Sequence, residues 1–339
     1  MISADWIDTQ YDIEPIHSIT RLSEGLIHQS FIVNCESTRY VIQGLHPNLS
    51  DEGILEDYAA VTEYLDTQGY GSPLLIRGRD GTLAPEGPDG CRWRLSTYVP
   101  GETITRIDTV ERANISGKAL GMFHKQISGL QHTFRSNHPG HDTVGHWNRL
   151  QATLQNPDYH GQLSLISARA NQILEALSEL FLPEGLPKVI VHGDPKVTNL
   201  RYQKDHAVLI DLDTCAVHTR LVDLGDAVRS WCHQPDASLG SRFSIPKWKA
   251  LFEGYLSVSG PLSVQEIDLL PSCGRLITLE LASRFARDVL EDYYFAFDQT
   301  RYESRRAQNL QRVEQMWSLA EEQRQAEPIL KDFITKYIG

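Results

Sequence analysis

Cysteine is sparse. The five residues (Cys35, Cys91, Cys215, Cys232, Cys273) are scattered through 339, odd in number and never closely paired. That spacing supplies neither a zinc-ligand pattern nor a disulfide framework. No block of lysine or arginine stands out, and acidic residues outnumber basic ones 44 to 32, a formal charge of -12. Nucleic-acid and anionic-membrane surfaces need clustered positive charge, so this balance argues against both. No apolar run is long enough to span a bilayer. The opening stretch MISADWIDTQYDIEP has neither the basic nor the apolar region of a secretion signal. These absences lead us to expect a globular cytoplasmic chain with reduced thiols. Its length fits one large domain or two smaller ones.

The first hundred residues alternate strand-like segments with turns. Ile16 to Leu22, His28 to Asn34 (Phe31 and Val33 on one face) and Arg39 to Leu45 read as an antiparallel meander, broken at Ser23-Glu24-Gly25 and Glu36-Ser37. Ser50 is the expected N-cap of a helix whose apolar face carries Ile54, Tyr58, Val61 and Leu65, and Gly69 ends it. Pro73 to Arg77 and Cys91 to Val99 are two more strands around a turn at Arg79-Asp80-Gly81, and Pro100-Gly101 marks a boundary. Helices follow at Val110 to Ile127, Ile166 to Phe181, Asp223 to Cys232, Lys247 to Val258 and Ser263 to Tyr294. Phe134 to Trp147, rich in His, Gly and Asn, reads as a loop. The expected architecture is α+β and bilobal: a small antiparallel β N-terminal lobe with one helix (1–98), and a larger, mainly α lobe (99–339). A cleft between such lobes is a common ligand site.

The stretch HGDPKVTNLRYQKDHAVLIDLDT, His192 to Thr214, concentrates the chemistry. Its Asp and Asn side chains are hard oxygen donors that suit magnesium, while no His and Cys cluster favours a softer metal. Val189 to Val191 and Val208 to Leu212 are short strand-like runs. On a strand, Asp211 and Asp213 would share one face. If the runs pair as a hairpin with Lys204-Asp205 at its tip, Asn199 comes near Asp211 and Asp194 lies at the open end. One carboxylate and one amide can then hold metal while a separate carboxylate accepts a proton, the division of labour that phosphoryl transfer to a hydroxyl requires. The alternative is an ordinary Gly193-Asp194-Pro195 turn with Asp205 capping a loop.

HGD-x4-N followed by an apolar D-x-D resembles the aminoglycoside phosphotransferase and choline kinase superfamily, whose fold is protein-kinase-like. The resemblance implies ATP-dependent phosphorylation of a small hydroxylated molecule. By position, Asp194 would be the catalytic base. Asn199 and Asp211 would hold Mg2+, with Asp213 nearby as a further metal candidate.

Three more stretches resemble the N-acetylhexosamine 1-kinases within that superfamily: RYVIQGLHP (Arg39 to Pro47), DLGDAVR (Asp223 to Arg229) and LLPSCGRLITLELASRFARDVLEDYYF (Leu269 to Phe295). The likeness runs in patches from about Thr20 to about Arg312. It implies that the second lobe holds a sugar through Arg284 and Tyr294; Asp226 and Arg229, three apart on a helix face near the metal loop, are placed to orient substrate. Plain alternatives are a Glu280–Arg284 ion pair at helical spacing, Tyr294 as core, and Asp226 paired with Arg229. Leu26 and His28 stand where that group has histidine and asparagine, and His192-Gly193-Asp194 replaces its HND. On the nucleotide side, Gly25 lies in a short phosphate-side turn. Gln43 occupies the position of the strand lysine of kinase-like enzymes, and Thr97, Tyr98 and Val99 line the expected adenine edge. His124 reads as an internal packing residue, while His138, His141 and His146 lie in the loop without metal-ligand spacing. Two other functions are to be weighed against a sugar kinase: an aminoglycoside or choline/amino-alcohol kinase, and a non-catalytic nucleotide-binding module.

Overall fold

Phe31, Val33 and Cys35 alternate along β2 (Gln29–Cys35) and turn one buried face inward. That alternation places β2 between β1 (Ile16–Arg21) and β3 (Arg39–Gly44) in an antiparallel meander. The computed structural model describes residues 2–22, 28–135, 140–234 and 242–338. Strands β4 (Leu75–Ile76) and β5 (Trp93–Thr97) complete a five-stranded antiparallel sheet of order β1-β2-β3-β5-β4. A seven-residue helix that the sequence patterning did not indicate, α1 (Ala4–Gln10), supports this sheet. Ile7 and the following Tyr11 are fully buried with Phe31, Val33, Ile42, Trp93 and Leu95, and the Tyr11 hydroxyl donates to the Trp93 carbonyl at 2.7 Å.

Helix α2 (Glu52–Thr67) follows the expected face: Ile54, Tyr58, Val61 and Leu65 are all buried. Its N-cap is Asp51, not Ser50. The Asp51 carboxylate accepts the Gly53 N–H at 2.8 Å, while Ser50 donates backwards to the Pro47 carbonyl. A carboxylate caps better here because it also faces the positive end of the helix dipole. Leu55, Val61 and Leu65 share one core with Leu120 and Phe123 of α3 (Val110–Ile127) and with Trp248, Leu251 and Phe252 of α7 (Ile245–Leu256). Each such side chain, fully buried, contributes on the order of 1.5–3 kcal/mol. That core therefore fixes the sheet region firmly on the helical region.

The rest is mainly helical, as expected: α5 (Ser167–Ser178), α6 (Arg220–Trp231) and α8 (Val264–Glu291) stand where the patterning indicates helices, and α4 (Thr143–Gln155) and α9 (Arg305–Ile338) add two that it does not. Residues 143–147, expected in a loop, are the first turn of α4, capped by Asp142 through the Gly145 N–H at 3.0 Å. Among the described residues no helix is long and apolar enough to cross a membrane.

The short strands do not pair as expected. β6 (Val189–Val191) pairs with β9 (Ala216–His218), whereas β7 (Leu200–Gln203) and β8 (His206–Leu209) form the hairpin, turning at Lys204-Asp205. Strand β8 ends at Leu209. Asp211 adopts a left-handed conformation (φ 66°, ψ 58°) and Asp213 lies in the 3-10 turn Leu212–Thr214, so the two do not share a strand face.

Candidate active site

The loop after β6 is held from behind by one buried carboxylate. Asp223, on the first turns of α6 and fully buried, accepts the backbone N–H groups of His192 (2.7 Å) and Gly193 (2.8 Å) and a bond from His124 Nε2 at 2.9 Å. The other His124 nitrogen pairs with the Tyr255 hydroxyl at 2.9 Å, which bears out the internal role expected of His124. Burial alone would raise the Asp223 pKa, but His124 and the loop donors hold it below the usual carboxylate range. Gly193 has φ +85°, and a Cβ there would stand 2.3 Å from the Thr214 carbonyl oxygen, so only glycine fits. His192 Nε2 and the Ile210 carbonyl meet at 2.9 Å, tying the loop to the end of the hairpin.

This scaffold brings Asp194, Asn199 and Asp211 together. Asn199, buried, donates its Nδ2 to the Asp194 carbonyl at 2.9 Å and reaches Asp194 Oδ2 at 3.5 Å. Its amide nitrogen is thereby committed, and Oδ1 is the atom left for a cation. The Ile210 N–H donates to the Asn199 carbonyl at 2.9 Å, which sets Asp211 beside Asn199. Lys196, which the sequence reading passed over, pairs its Nζ with Asp194 Oδ2. Its position two residues after Asp194, inside HGDPK, was the available signal. Burial and the neighbouring Asp213 push the Asp211 pKa up to about 6, against the pull of Lys196. A carboxylate destabilised in this way is stabilised by a cation. Among the described residues no three His, Cys, Asp or Glu side chains gather to hold a metal by themselves. Two oxygen donors fit magnesium, which commonly takes one or two protein ligands and keeps water or phosphate for the rest.

On the nucleotide side, Gly25 (with Leu26) lies outside the described residues. Gln43 on β3 faces Arg94 on β5, and Arg94 Nη2 donates to Gln43 Oε1 at 2.8 Å. Arg94 also makes a two-pronged ion pair with Asp213, with Nη2 to Oδ2 at 2.9 Å. Its guanidinium lies 3.7 Å from the centroid of the Tyr58 ring. Burial would raise the Asp213 pKa, but Arg94 holds it below the usual range. His28 Nε2 approaches Asp213 Oδ2 at 3.9 Å, and burial keeps the His28 pKa low. At the expected adenine edge, the N–H groups of Thr97 and Tyr98 are engaged by Leu74 and Arg39 carbonyls, and Arg201 holds the Val99 carbonyl at 3.2 Å. Among the described residues no hydrogen bond engages the Val99 N–H or the Tyr98 carbonyl. Those are one donor and one acceptor of the kind a purine edge uses.

On the opposite side, Arg229 grips Asp226 Oδ1 at 2.6 Å, while Asp226 Oδ2 is buried with no partner. The expected alternative pairing of Arg284 with Glu280 is absent. Glu280 is buried and takes His141 Nδ1 at 2.9 Å and the Thr143 hydroxyl. Arg284 instead reaches the Tyr294 hydroxyl at 3.3 Å, and Tyr294 is 54% exposed rather than core. Asp288 explains why this end is ordered. It accepts the N–H groups of Tyr293 (3.0 Å), Tyr294 (2.8 Å) and Phe295 (3.0 Å), plus Asn309 Nδ2 at 2.8 Å. Gly140-His141 packs against the catalytic-type loop: a Cβ on Gly140 would stand 2.5 Å from the Gly193 oxygen. His141 Nε2 is buried without a partner, His146 instead meets Arg149 Nη2 at 3.0 Å, and His138 lies outside the described residues.

The model of a family described as "Phosphotransferase enzyme family" matches residues 18–245. A homoserine kinase of Xanthobacter autotrophicus is 25% identical over 266 residues, covering 78% of each chain. A microcompartment-associated aminopropanol kinase superposes with a TM-score of 0.67 at 17% identity, over 96% of this chain and 97% of its own. Spectinomycin phosphotransferase in complex with ADP and spectinomycin superposes with a TM-score of 0.63 at 13% identity, over 95% and 97%.

Proposed function

Because the chain belongs to the phosphotransferase enzyme family, with the protein-kinase-like α+β fold of its structural neighbours, we propose that it transfers the γ-phosphoryl group of MgATP to a hydroxyl of a small sugar. The acceptor we favour is the anomeric hydroxyl of a sugar or N-acetylhexosamine. In this reading residues 1–98 serve the nucleotide, residues 99–339 serve the acceptor and the chemistry, and the enzyme works in the cytoplasm. The observation that carries it is the convergence of Asp194, Asn199 and Asp211 on one loop and hairpin, braced by Asp223.

Asn199 Oδ1 and the Asp211 carboxylate are the atoms that would hold magnesium. When bound, the ion would neutralise charge on the transferring phosphates. The half-exposed Asp194 carboxylate orients the acceptor hydroxyl and takes its proton. The Asn199 amide fixes the carboxylate's direction, and Lys196 pairs with it before the acceptor arrives. The Tyr98 carbonyl and Val99 N–H would take the adenine edge, and Gly25 and Gln43 the phosphate side. Asp226 Oδ2, buried and unpaired, would take an acceptor hydroxyl with Arg229 behind it. Arg284 and Tyr294, held by Asp288, would close the rim. The Arg284–Tyr294 contact supports the sugar reading, because it forms where the likeness to the N-acetylhexosamine 1-kinases is narrowest.

A second reading, an amino-alcohol or hydroxy-amino-acid acceptor, is favoured by the same unpaired Asp226 oxygen, which suits an ammonium group, and by the name of the homoserine kinase relative. ADP release from MgATP over a panel of N-acetylhexosamines, hexoses, homoserine, aminopropanol, choline and kanamycin separates the two. The phosphate position is then read by phosphorus NMR. Turnover on sugars alone is expected. Turnover confined to amine acceptors would replace the sugar reading, and nucleotide binding with no turnover at all would favour a non-catalytic module.

A further inference from the structure

A nucleotide triphosphate brings several negative charges to a chain whose own charge is -12, and Gln43 contributes no positive charge at the position where the resemblance to kinase-like enzymes expects the strand lysine. The missing cation has a neighbour. Arg94 stands directly across from Gln43 in the β3–β5 register, one hydrogen-bonded strand away. We propose that Arg94 is the phosphate-binding cation of this site, in place of the strand lysine, and that Asp213 is its anchor rather than a ligand of the metal. The proposal rests on the kinase reading above.

The donor inventory of the guanidinium supports it. Arginine has five N–H groups in a fixed planar fork. Nη1 and Nη2 each give one to the Asp213 carboxylate, and Nη2 gives its second to Gln43 Oε1. The second N–H of Nη1 and the Nε–H are left, and Nε is the nitrogen that is buried with no partner at all. It lies on the edge of the fork that already meets Gln43. An unpaired buried donor on a charged group is costly, so its persistence points to a ligand atom that completes it. The Gln43 amide nitrogen on the same side makes only a 3.5 Å contact to the Ser30 hydroxyl on β2. Arg94 Nε–H and the Gln43 amide therefore form adjacent donors, one charged and one neutral, suited to phosphate oxygens.

The remaining contacts fix the guanidinium in place. Tyr58 of α2 lies across its face at 3.7 Å, and Asp213 takes the end of the fork with both oxygens. The side chains of Arg94 and Asp213 are 1% and 4% exposed, so water screens the pair little. With both oxygens engaged by arginine, Asp213 is poorly placed to serve magnesium, which leaves that work to Asn199 and Asp211. Arg94 comes from the sheet and Asp213 from the turn that carries Asp211. The pair thus sets the phosphate-binding donors against the metal-binding carboxylate.

The test measures binding without turnover. Calorimetry compares the non-hydrolysable triphosphate AMP-PNP, with magnesium, against adenosine. The proteins are wild type, Arg94→Met/Asp213→Asn, and the same double variant carrying Gln43→Lys. The double variant removes the cation without stranding an ionised carboxylate, and a thermal melt confirms its fold. Should it fail to fold, Arg94→Lys is measured in the same way. The expectation is a loss of roughly tenfold or more in AMP-PNP affinity, as for one charge-assisted hydrogen bond, with adenosine affinity held within about twofold. Adding Gln43→Lys should recover most of the loss. Equal weakening of both ligands, or no rescue by lysine, would show that Arg94 is only structural. Failure of the wild type to bind AMP-PNP would instead overturn the kinase reading itself.

Discussion

Removing the carboxylate of Asp223 should destabilise the chain and disable its loop together. Asp223 is fully buried and accepts three bonds: His192 N–H at 2.7 Å, Gly193 N–H at 2.8 Å and His124 Nε2 at 2.9 Å. Hydrogen bonds to a charged group are each worth about 1.5–3 kcal/mol. They are not additive here, because one desolvated carboxylate serves all three. Breaking a buried charged constellation on one side costs about 3–5 kcal/mol, and that is the expected loss for Asp223→Ala. Asp223→Asn keeps one acceptor oxygen but turns an amide N–H2 toward donors, so about 2 kcal/mol or more should still be lost. The assay is urea unfolding at pH 7, with a double-mutant cycle against His124→Gln. The coupling energy should be at least about 1 kcal/mol. The Asp223 pKa is depressed in the folded chain, so its contribution is present above the ordinary carboxyl range and lost as pH falls through the folded value. The acid side of the stability curve should therefore flatten in Asp223→Asn. A loss below about 1 kcal/mol, or additivity within about 0.5 kcal/mol, would refute this reasoning.

Two further outcomes are expected. Burial disfavours protonated His141, yet Glu280 more than offsets this and raises its pKa above the ordinary 6.5. Its contribution to stability is therefore full below about pH 6.5 and lost as pH rises through the folded value, so wild type should lose more stability than His141→Gln in melts from pH 6 to pH 9. Asp288→Ala should loosen the turn carrying Tyr294 and raise the acceptor KM roughly tenfold while the ATP KM stays unchanged, read by steady-state kinetics. A parallel rise in both KM values would assign Asp288 to the fold at large.

Much of the scaffold is legible in the sequence because its signals are local. Val110 and Ile127 bound α3 where the amphipathic pattern begins and stops. Lys204-Asp205 turns the hairpin because polar residues separate two apolar runs. Helix α1 escapes such patterning because seven residues hold less than two helical turns of period. The start of α4 escapes because its capping residue, Asp142, sits in a segment whose Gly, His and Asn composition reads as a loop. Asp211 required a left-handed backbone that alternation along a strand does not predict. At the candidate site, HGD-x4-N singles out Asp194 and Asn199 in the sequence itself. The bracing of that loop by Asp223 and His124, 99 residues apart in sequence, is a tertiary fact. Arg94 reads in sequence as one polar residue within a strand. Only its register against Gln43 and its meeting with Asp213, 119 residues away, bring out the role proposed for it.

The most direct test of the central claim is single-turnover phosphoryl transfer by Asp194→Asn with saturating MgATP and the best acceptor from the panel, alongside calorimetric binding of AMP-PNP. The asparagine keeps the shape of the loop and its backbone bonds to Asn199 and His192 but cannot take a proton. Transfer should fall by about 10²-fold or more while AMP-PNP binding stays close to wild type. Transfer within severalfold of wild type would contradict the assignment of Asp194 as the base on which this account of the site is built.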